Sequence, residues 1–252
     1  MSRVVILGSS NAVATQGHDN THMIIVGKKK AVMVDCASSP LLRLEKAGVD
    51  FHAVSDLILT HFHPDHVSGV PLLLMDMWLL GRRSPLNVHG LQHTLERVEG
   101  LMGFHGWSDW PSFYSVSFCR VEEREMTRVL ETEDVTIFSS PVRHIIPTIG
   151  IRLEFGRSGK VLAYSCDTEP CPQVARLAAG ADVLIHEAAG QGRGHSSAEQ
   201  AGEIASQAEV GRLLLIHYPT AGPAASDLAR GAGARFRGEV ALAEDFMQLE
   251  MD

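Results

Sequence analysis

A short histidine-rich segment carries the densest chemistry in the chain. Residues 61–66 read His-Phe-His-Pro-Asp-His, which places three imidazoles and one carboxylate within six residues. Imidazole nitrogen and carboxylate oxygen together suit a borderline divalent metal such as zinc. The alternative is a polar, capped turn with incidental histidines, because ligand spacing alone is only a hypothesis. The segment predicts a metal site.

The segment lies at a predicted corner between a strand and a helix. Asp56–Thr60 is a short apolar run typical of a buried strand, and Val67–Leu80 predicts a mostly buried helix. Further candidates follow other apolar strands, at His144, Asp167 and His217. Each of these alone is better explained as an ordinary loop residue than as a ligand. Their joint placement favours a common site, because functional residues collect on loops at strand ends.

The remaining pattern predicts alternating strands and helices. The second half in particular alternates between the two, ending with a helix over Ala224–Gly231 and a strand around Phe246–Met251. Strand-rich stretches in both halves favour a layered α/β structure with helices outside packed sheets. Because no linker, repeat or low-complexity segment interrupts the chain, residues 1–252 are predicted to form a single domain.

Composition restricts the class of protein. The chain has 45% hydrophobic and 21% charged residues, as ordinary globular proteins do. Its formal net charge of −8 argues against broad nucleic-acid binding, which needs a basic footprint. The four cysteines show no CxxC spacing, and the start of the chain has no signal-peptide core, so we expect reduced thiols in a cytoplasmic protein without a membrane span.

The ligand pattern resembles that of metallo-β-lactamase-fold hydrolases. The residues that match the HxHxDH motif are His61, His63, Asp65 and His66. Those that match the family's remaining ligand positions, in the right order, are His144, Asp167 and His217. The similarity runs from Gly8 to Asp245 and implies a four-layer αββα sandwich, with two divalent metal ions at one edge of the sheets.

The resemblance also implies a role for each ligand. His61, His63 and His144 would hold one ion. Asp65, His66 and His217 would hold the second, with Asp167 bridging the two. Zinc is the expected metal, and manganese and iron are alternatives. Such a pair of ions activates a shared water for hydrolysis.

Secondary motifs resemble the ribonuclease Z branch of the family. These are His186-Glu187-Ala188-Ala189 and Gly194-His195-Ser196-Ser197. Catalytic roles follow by the same resemblance: Asp65 orients the nucleophilic water or accepts its proton, and His195, held by Glu187, protonates the leaving group. The alternative for Glu187 and His195 is a buried structural pair.

Two departures from ribonuclease Z argue against tRNA as the substrate. Only 22 residues lie between His144 and Asp167, where that branch inserts a tRNA-gripping arm. The N-terminal loop over residues 8–22 also lacks the basic Pro-x-Lys-x-Arg pattern of tRNA-processing members. We therefore expect a phosphodiesterase acting on a small molecule. Hydrolysis of a lactone, thioester or sulfate ester is the second possibility, and a non-enzymatic sensor on the same scaffold is the third.

An aromatic cluster over residues 104–118 fits neither strand nor helix periodicity. It predicts a loop that forms a lid over the metals, a contact in a homodimer or part of the core. A homodimer is our expectation.

Overall fold

Two mixed β-sheets form the framework of the protein. The computed structural model describes residues 2–221 and 225–252. In chain order the strands are β1 (Arg3–Gly8), β2 (His22–Val26), β3 (Ala31–Val34), β4 (Val54–Ile58), β5 (Leu86–Gly90), β6 (Val116–Arg120), β7 (Thr127–Glu131), β8 (Val135–Val142), β9 (Thr148–Phe155), β10 (Val161–Tyr164), β11 (Val183–Glu187), β12 (Arg212–Ile216), β13 (Glu239–Leu242) and β14 (Gln248–Glu250). The first sheet has the order β14-β1-β2-β3-β4-β5-β6, and the second has the order β13-β12-β11-β10-β9-β8-β7.

Helices cover the outer face of each sheet. They are α1 (Pro40–Lys46), α2 (Pro64–Val67), α3 (Val70–Leu79), α4 (Gln92–Phe104), α5 (Pro172–Leu177), α6 (Ala198–Gln207) and α7 (Ala225–Gly233). Within the described ranges, no helix is both long enough and apolar enough to cross a bilayer.

Successive side chains of the strands pack alternately into the inner core and the outer, helix-covered layer. In β1, Val4 and Ile6 pack into the core between the two sheets, whereas Val5 and Leu7 pack against α1, α3 and α4. Successive side chains of a strand point to opposite faces, so a strand covered on both sides is apolar throughout. A third cluster lies between the second sheet and α5–α7. The predicted four-layer αββα sandwich is confirmed.

Strand direction brings distant loops to one edge. Strands β3 to β6 run parallel, and so do β10 to β13. Strand β8 runs in the same direction as β10, because both are antiparallel to β9. The backbone N–H of Ile149 also donates to the Thr60 carbonyl at 3.1 Å, which ties the loop after β4 to the second sheet. The carboxyl ends of strands from both sheets therefore meet.

The helix predicted over Val67–Leu80 is observed as α3 but begins three residues later, at Val70, because Val67 ends the separate helix α2. The chain breaks at Gly69, whose backbone N–H donates to the Cys36 carbonyl at 2.9 Å. A Cβ at Gly69 would lie 2.8 Å from backbone atoms of Ala37, so only glycine allows this approach. Pro71 follows at the start of α3, where its missing N–H is tolerated.

Two edge strands were not predicted. Strand β6 begins within the aromatic segment that was interpreted as a loop, and β13 is short with exposed or half-buried residues. Edge strands bury little apolar surface, so their periodic signal is weak. The C-terminal strand is shorter than the predicted Phe246–Met251, and Ala224, predicted as the first residue of the last helix, lies outside the described residues.

Candidate metal centre

Helix α2 presents two of the candidate ligands. It begins at Pro64, where the missing N–H has no cost because first-turn N–H groups lack helical partners. The backbone N–H groups of His66 and Val67 donate to the His63 carbonyl at 3.0 and 3.1 Å. This short turn places Asp65 and His66 beside the loop that carries His63.

All seven predicted ligands lie in one cluster at the strand ends. Their candidate ligand atoms form two sets, and within each set the atoms lie within 4.8 Å of one another. The first set is His61, His63, His144 and Asp167, and the second is Asp65, His66, Asp167 and His217. Asp167 belongs to both sets. These are the two groups that the sequence resemblance implies.

The Asp167 carboxylate lies between the imidazoles, with each of its oxygens facing a different histidine or pair of histidines. Its Oδ2 is 3.3 Å from His217 Nε2 and 3.9 Å from His61 Nε2. Its Oδ1 is 3.5 Å from His66 Nε2. Asp167 is 2% exposed, so this charge is almost completely removed from water. A buried carboxylate at this position can face two cations at once.

Two atoms of the cluster support cation binding directly. Asp167 Oδ1 and His66 Nε2 are buried and have no hydrogen-bond partner within the described residues. Buried polar atoms are normally paired, and an unpaired one requires an explanation such as a bound ion. Both atoms are good zinc ligands. The donor set therefore fits a divalent metal.

Contacts behind the imidazoles direct one nitrogen of each toward the cluster. In three of the rings Nδ1 makes a hydrogen-bond contact outside the cluster. Nδ1 of His66 lies 2.8 Å from Asp35 Oδ2. Nδ1 of His144 lies 2.7 Å from the Gly194 carbonyl, and Nδ1 of His217 lies 3.3 Å from Thr21 Oγ1. The Nε2 atoms of these rings then face the other ligands of the cluster, as His144 Nε2 faces His63 Nδ1 at 3.1 Å. Outer contacts of this kind fix the ring orientation and tautomer of metal ligands.

Asp35 is a functional residue that the sequence reasoning missed. Its Oδ1 also accepts from the backbone N–H of Thr60 at 2.8 Å, so it braces both the loop after β4 and the ring of His66. Asp35 is fully buried and has a φ of 58°, a conformation that few residues other than glycine adopt. The available signal was its position, directly after β3, where a polar residue ends a strand at the same edge.

Cys166 also lies against the centre. Its Sγ is 3.6 Å from Nδ1 of His61, and burial raises the pKa of the thiol well above its ordinary value. The cysteine is thus a neutral, buried neighbour of a candidate ligand.

Burial keeps most of the imidazoles neutral. It lowers the pKa of His61 well below the ordinary value and lowers the pKa of His217 to about 4. Burial also lowers the pKa of His63 and His144. Neutral imidazole is the form that binds a metal. His66 differs: burial lowers its pKa, but the carboxylates of Asp167 and Asp35 raise it above the ordinary value.

Glu187 and His195 form a pair at the rim of the cluster. Glu187 ends β11 and is fully buried; its Oε1 is 3.2 Å from Nδ1 of His195 and accepts from the backbone N–H of Ser196 at 2.9 Å. The side chain of His195 is 27% exposed, and its ring lies 5.0 Å from that of His144 and 5.9 Å from that of His217. Burial raises the pKa of Glu187 to about 7, and the hydrogen bond to Glu187 raises the pKa of His195.

The segment between His144 and Asp167 consists almost entirely of two β-strands and the turn that joins them. The strands are β9 and β10. No arm extends from the described residues of this segment.

The aromatic cluster packs against the outer face of the first sheet. Trp78 stacks on Trp110 at 5.1 Å, and Trp107, Phe113 and Phe118 pack against the same core as α3 and α4. These contacts are those of core packing, the third of the predicted possibilities, but Phe104 at the start of the cluster is 92% exposed. The lid and the homodimer contact stay predictions.

Comparison with known proteins gives relatives over the whole chain. The family model for "Anti-Pycsar protein Apyc1" matches residues 2–234. A ribonuclease Z of Mycobacterium sp. (strain KMS) is 30% identical over 277 residues, covering 100% of this chain and 96% of the relative.

Solved structures share the fold. The metallo-β-lactamase-fold protein YhfI from Bacillus subtilis aligns with a TM-score of 0.84 at 22% identity, covering 98% of each chain. The short form of human tRNase Z aligns with a TM-score of 0.78 at 20% identity, covering 99% of each chain. The chain therefore belongs to the family of the anti-Pycsar protein Apyc1, among the ribonuclease Z-like metal-dependent hydrolases of the metallo-β-lactamase fold.

Proposed function

We propose that this protein is a dinuclear metal-dependent phosphodiesterase that hydrolyses small phosphodiesters. The observation that carries the proposal is the position of Asp167, which is shared by two sets of ligand atoms. Seven candidate ligands are more than one tetrahedral site can use. Zinc is the metal that this mixture of imidazole and carboxylate favours, and manganese or iron are the alternatives.

The bound ions would lower the pKa of a shared water and polarise the phosphoryl oxygen. Asp65 is suited to orient that water or accept its proton, because its side chain is 11% exposed while those of Asp167 and His66 are 3% and 0% exposed. Its Oδ2 also lies 3.5 Å from His66 Nε2 and 3.9 Å from His217 Nε2, so the carboxylate sits at the open side of the second set.

His195 is placed to protonate the leaving group. It lies beside both sets of ligands without belonging to either, and its ring is partly exposed. The Glu187 carboxylate orients the ring through Nδ1, which leaves Nε2 for the substrate. A positioned acid of this kind assists departure of an alkoxide.

Substrate size is inferred from what surrounds the site. The short connection between His144 and Asp167 offers no arm to grip a large RNA. The net charge of −8 opposes binding to a polyanion through many phosphate contacts. The curated relatives are named ribonuclease Z, so an RNA phosphodiester is the second candidate substrate.

A substrate panel tests the proposal. The metal-loaded protein is expected to hydrolyse bis(p-nitrophenyl) phosphate or a 3′,5′-cyclic mononucleotide, to lose this activity on chelation, and to trim precursor tRNA poorly at physiological salt. Efficient trimming of the tRNA 3′ end would instead support ribonuclease Z activity. Preferential hydrolysis of a lactone, thioester or sulfate ester would support the second enzyme class, and inactivity on all of them would support a sensor.

The substitution Asp35→Asn tests the contacts behind the ligands. It keeps the shape of the side chain but weakens the acceptor for His66, so metal affinity is expected to fall by about 10–100-fold, the usual effect of losing such a partner. The measurement is competition with a zinc chelator.

Asp56→Asn is the matched control. Asp56 lies in the same sheet and accepts from His89 Nε2 at 2.8 Å, but neither residue belongs to the cluster. This variant is expected to change stability without changing zinc affinity. Equal losses of zinc affinity in the two variants would contradict the role given to Asp35.

A further inference from the structure

A groove opens beside the candidate metal centre. It has a volume of about 430 Å³, within the range of small-ligand sites. His144 lines it, together with the apolar side chains of Ile145 and Ile146, and Arg143 lines it next to His144. Ile145 is 51% exposed, so this apolar side chain is open to solvent. The groove thus continues from a candidate ligand over an apolar wall.

Two arginines with free guanidinium groups come from the two chain segments that meet at His144, and Arg143 also lines the groove. Arg143 precedes it in the chain, and Arg193 precedes Gly194, whose carbonyl accepts from His144 Nδ1 at 2.7 Å. Both arginines are exposed, and neither has an ion-pair or hydrogen-bond partner for its side chain within residues 2–221 and 225–252. Most other arginines are paired, as Arg176 is with Glu125 at 2.7 Å.

The backbone beneath both arginines is held firmly. Glu169 donates its backbone N–H to the Arg143 carbonyl at 2.7 Å, and its Oε1 accepts from the backbone N–H of Gly194 at 2.8 Å. A Cβ at Gly194 would lie 2.8 Å from His144 Nδ1, so the turn after Arg193 is pressed against the ring. One residue therefore fixes the two segments relative to each other and leaves both guanidinium groups free.

We propose that Arg143 and Arg193 form a second anion subsite, which binds a phosphate of the substrate other than the one that is hydrolysed. This inference rests on the proposed phosphodiesterase function. The scissile phosphodiester would be neutralised at the metal centre, so two further free cations beside it suit an additional anionic group. Guanidinium binds phosphate through two parallel N–H donors. The apolar wall of the groove would contact the organic part that joins the two phosphates.

Glu123 places a negative charge in the groove, opposite in sign to that of Arg143. Its exposed carboxylate lines the same groove as Arg143, and the two are not in ion-pair contact. A phosphate in the groove is attracted by Arg143 and repelled by Glu123. Removing the charge of Arg143 should therefore weaken phosphate binding, and removing the charge of Glu123 should strengthen it.

A pair of chromogenic substrates tests the subsite. Thymidine 5′-(p-nitrophenyl phosphate) and its 3′-phosphorylated form differ by one phosphate and release the same leaving group. The zinc-loaded protein is expected to prefer the second by kcat/KM. Arg143→Gln and Arg193→Gln should each reduce that preference by about tenfold, as expected for loss of one charge-assisted contact. Glu123→Gln should increase it.

Binding provides a readout apart from turnover. Thymidine 3′,5′-bisphosphate is expected to bind more tightly than thymidine 5′-monophosphate by calorimetry, and the arginine variants should remove the difference. Arg237→Gln is the matched control. Arg237 is exposed and lies just before β13. Because β12 and β13 are parallel, Arg237 is at the edge of the sheet opposite to His217, which follows the carboxyl end of β12.

The outcomes separate the two proposals. Hydrolysis of both substrates with a preference that the arginine variants do not change would overturn the subsite and leave the phosphodiesterase standing. Equal effects of Arg237→Gln and Arg143→Gln would overturn it as well, because the effect would then be one of overall charge. Hydrolysis of neither substrate would refute the phosphodiesterase, and the subsite with it.

Discussion

Replacing Asp167 with asparagine is expected to remove metal from both sets of ligands and to reduce turnover by on the order of 10³-fold or more, because the metals supply several kcal/mol of transition-state stabilisation. Asp167 is the residue that the two sets share, and its oxygens face His66 on one side and His61 and His217 on the other. An asparagine has a similar shape but no charge, and it presents one oxygen in place of two. The loss should therefore extend beyond one ion.

Elemental analysis measures this effect directly. The unmodified protein is expected to contain about two ions per chain, since seven ligands exceed the needs of one site. Asp134→Asn is the control, because Asp134 is also a buried aspartate but accepts from the backbone N–H of Lys28 at 2.8 Å in the turn between β2 and β3. A full complement of metal in Asp167→Asn, or no metal in the unmodified protein even after addition of zinc or manganese, would contradict the dinuclear centre.

The local part of the candidate site could be predicted from the sequence. The cluster from His61 to His66 is contiguous, so its residue types and spacing predict a metal site as a hypothesis. His144, Asp167 and His217 are separated by long intervals and each follows a different strand, so sequence position alone does not bring them together. The family resemblance supplied that step, and the structure places all three within the two sets.

Asp35 could not be predicted in the same way. It lies 26 residues before His61 in the sequence and has no motif around it. Its role depends on the pairing of β3 with β4, which brings its carboxylate to Thr60 and His66. Neither periodicity nor ligand spacing carries information about which strands are neighbours, so a residue that acts through another residue is missed.

The fold shows the same division between local and long-range information. The continuous apolar runs Val4–Leu7 and Ala31–Val34 predict β1 and β3 nearly to the residue, because burial on both faces leaves a clear pattern. The break at Gly69 depends on contact with Ala37, 32 residues away in sequence. A glycine in an apolar helical pattern does not by itself reveal such a contact.

Replacing His195 with alanine is expected to lower turnover by about 10²–10⁴-fold, the usual contribution of a positioned general acid, while leaving the metal content intact. His195 is not a member of either set of candidate ligands, so its removal does not take away a donor. Its hydrogen bond to the buried Glu187 holds the ring beside those of His144 and His217. Glu187→Gln should act in the same direction but more weakly, because Glu187 orients the ring and does not deliver the proton.

The dependence on the leaving group distinguishes catalysis from structure. A p-nitrophenolate departs with little protonation, whereas an alkoxide needs a proton, so the loss in His195→Ala should be small for p-nitrophenyl esters and large for alkyl esters. His89→Ala provides the comparison, because His89 is also an imidazole paired with a carboxylate, that of Asp56 at 2.8 Å, but lies outside the cluster. That variant is expected to lose thermal stability without any dependence on the leaving group. If His195→Ala behaves in the same way, with equal losses for aryl and alkyl esters and a lower melting temperature, then Glu187 and His195 are a structural pair and the proton comes from another group.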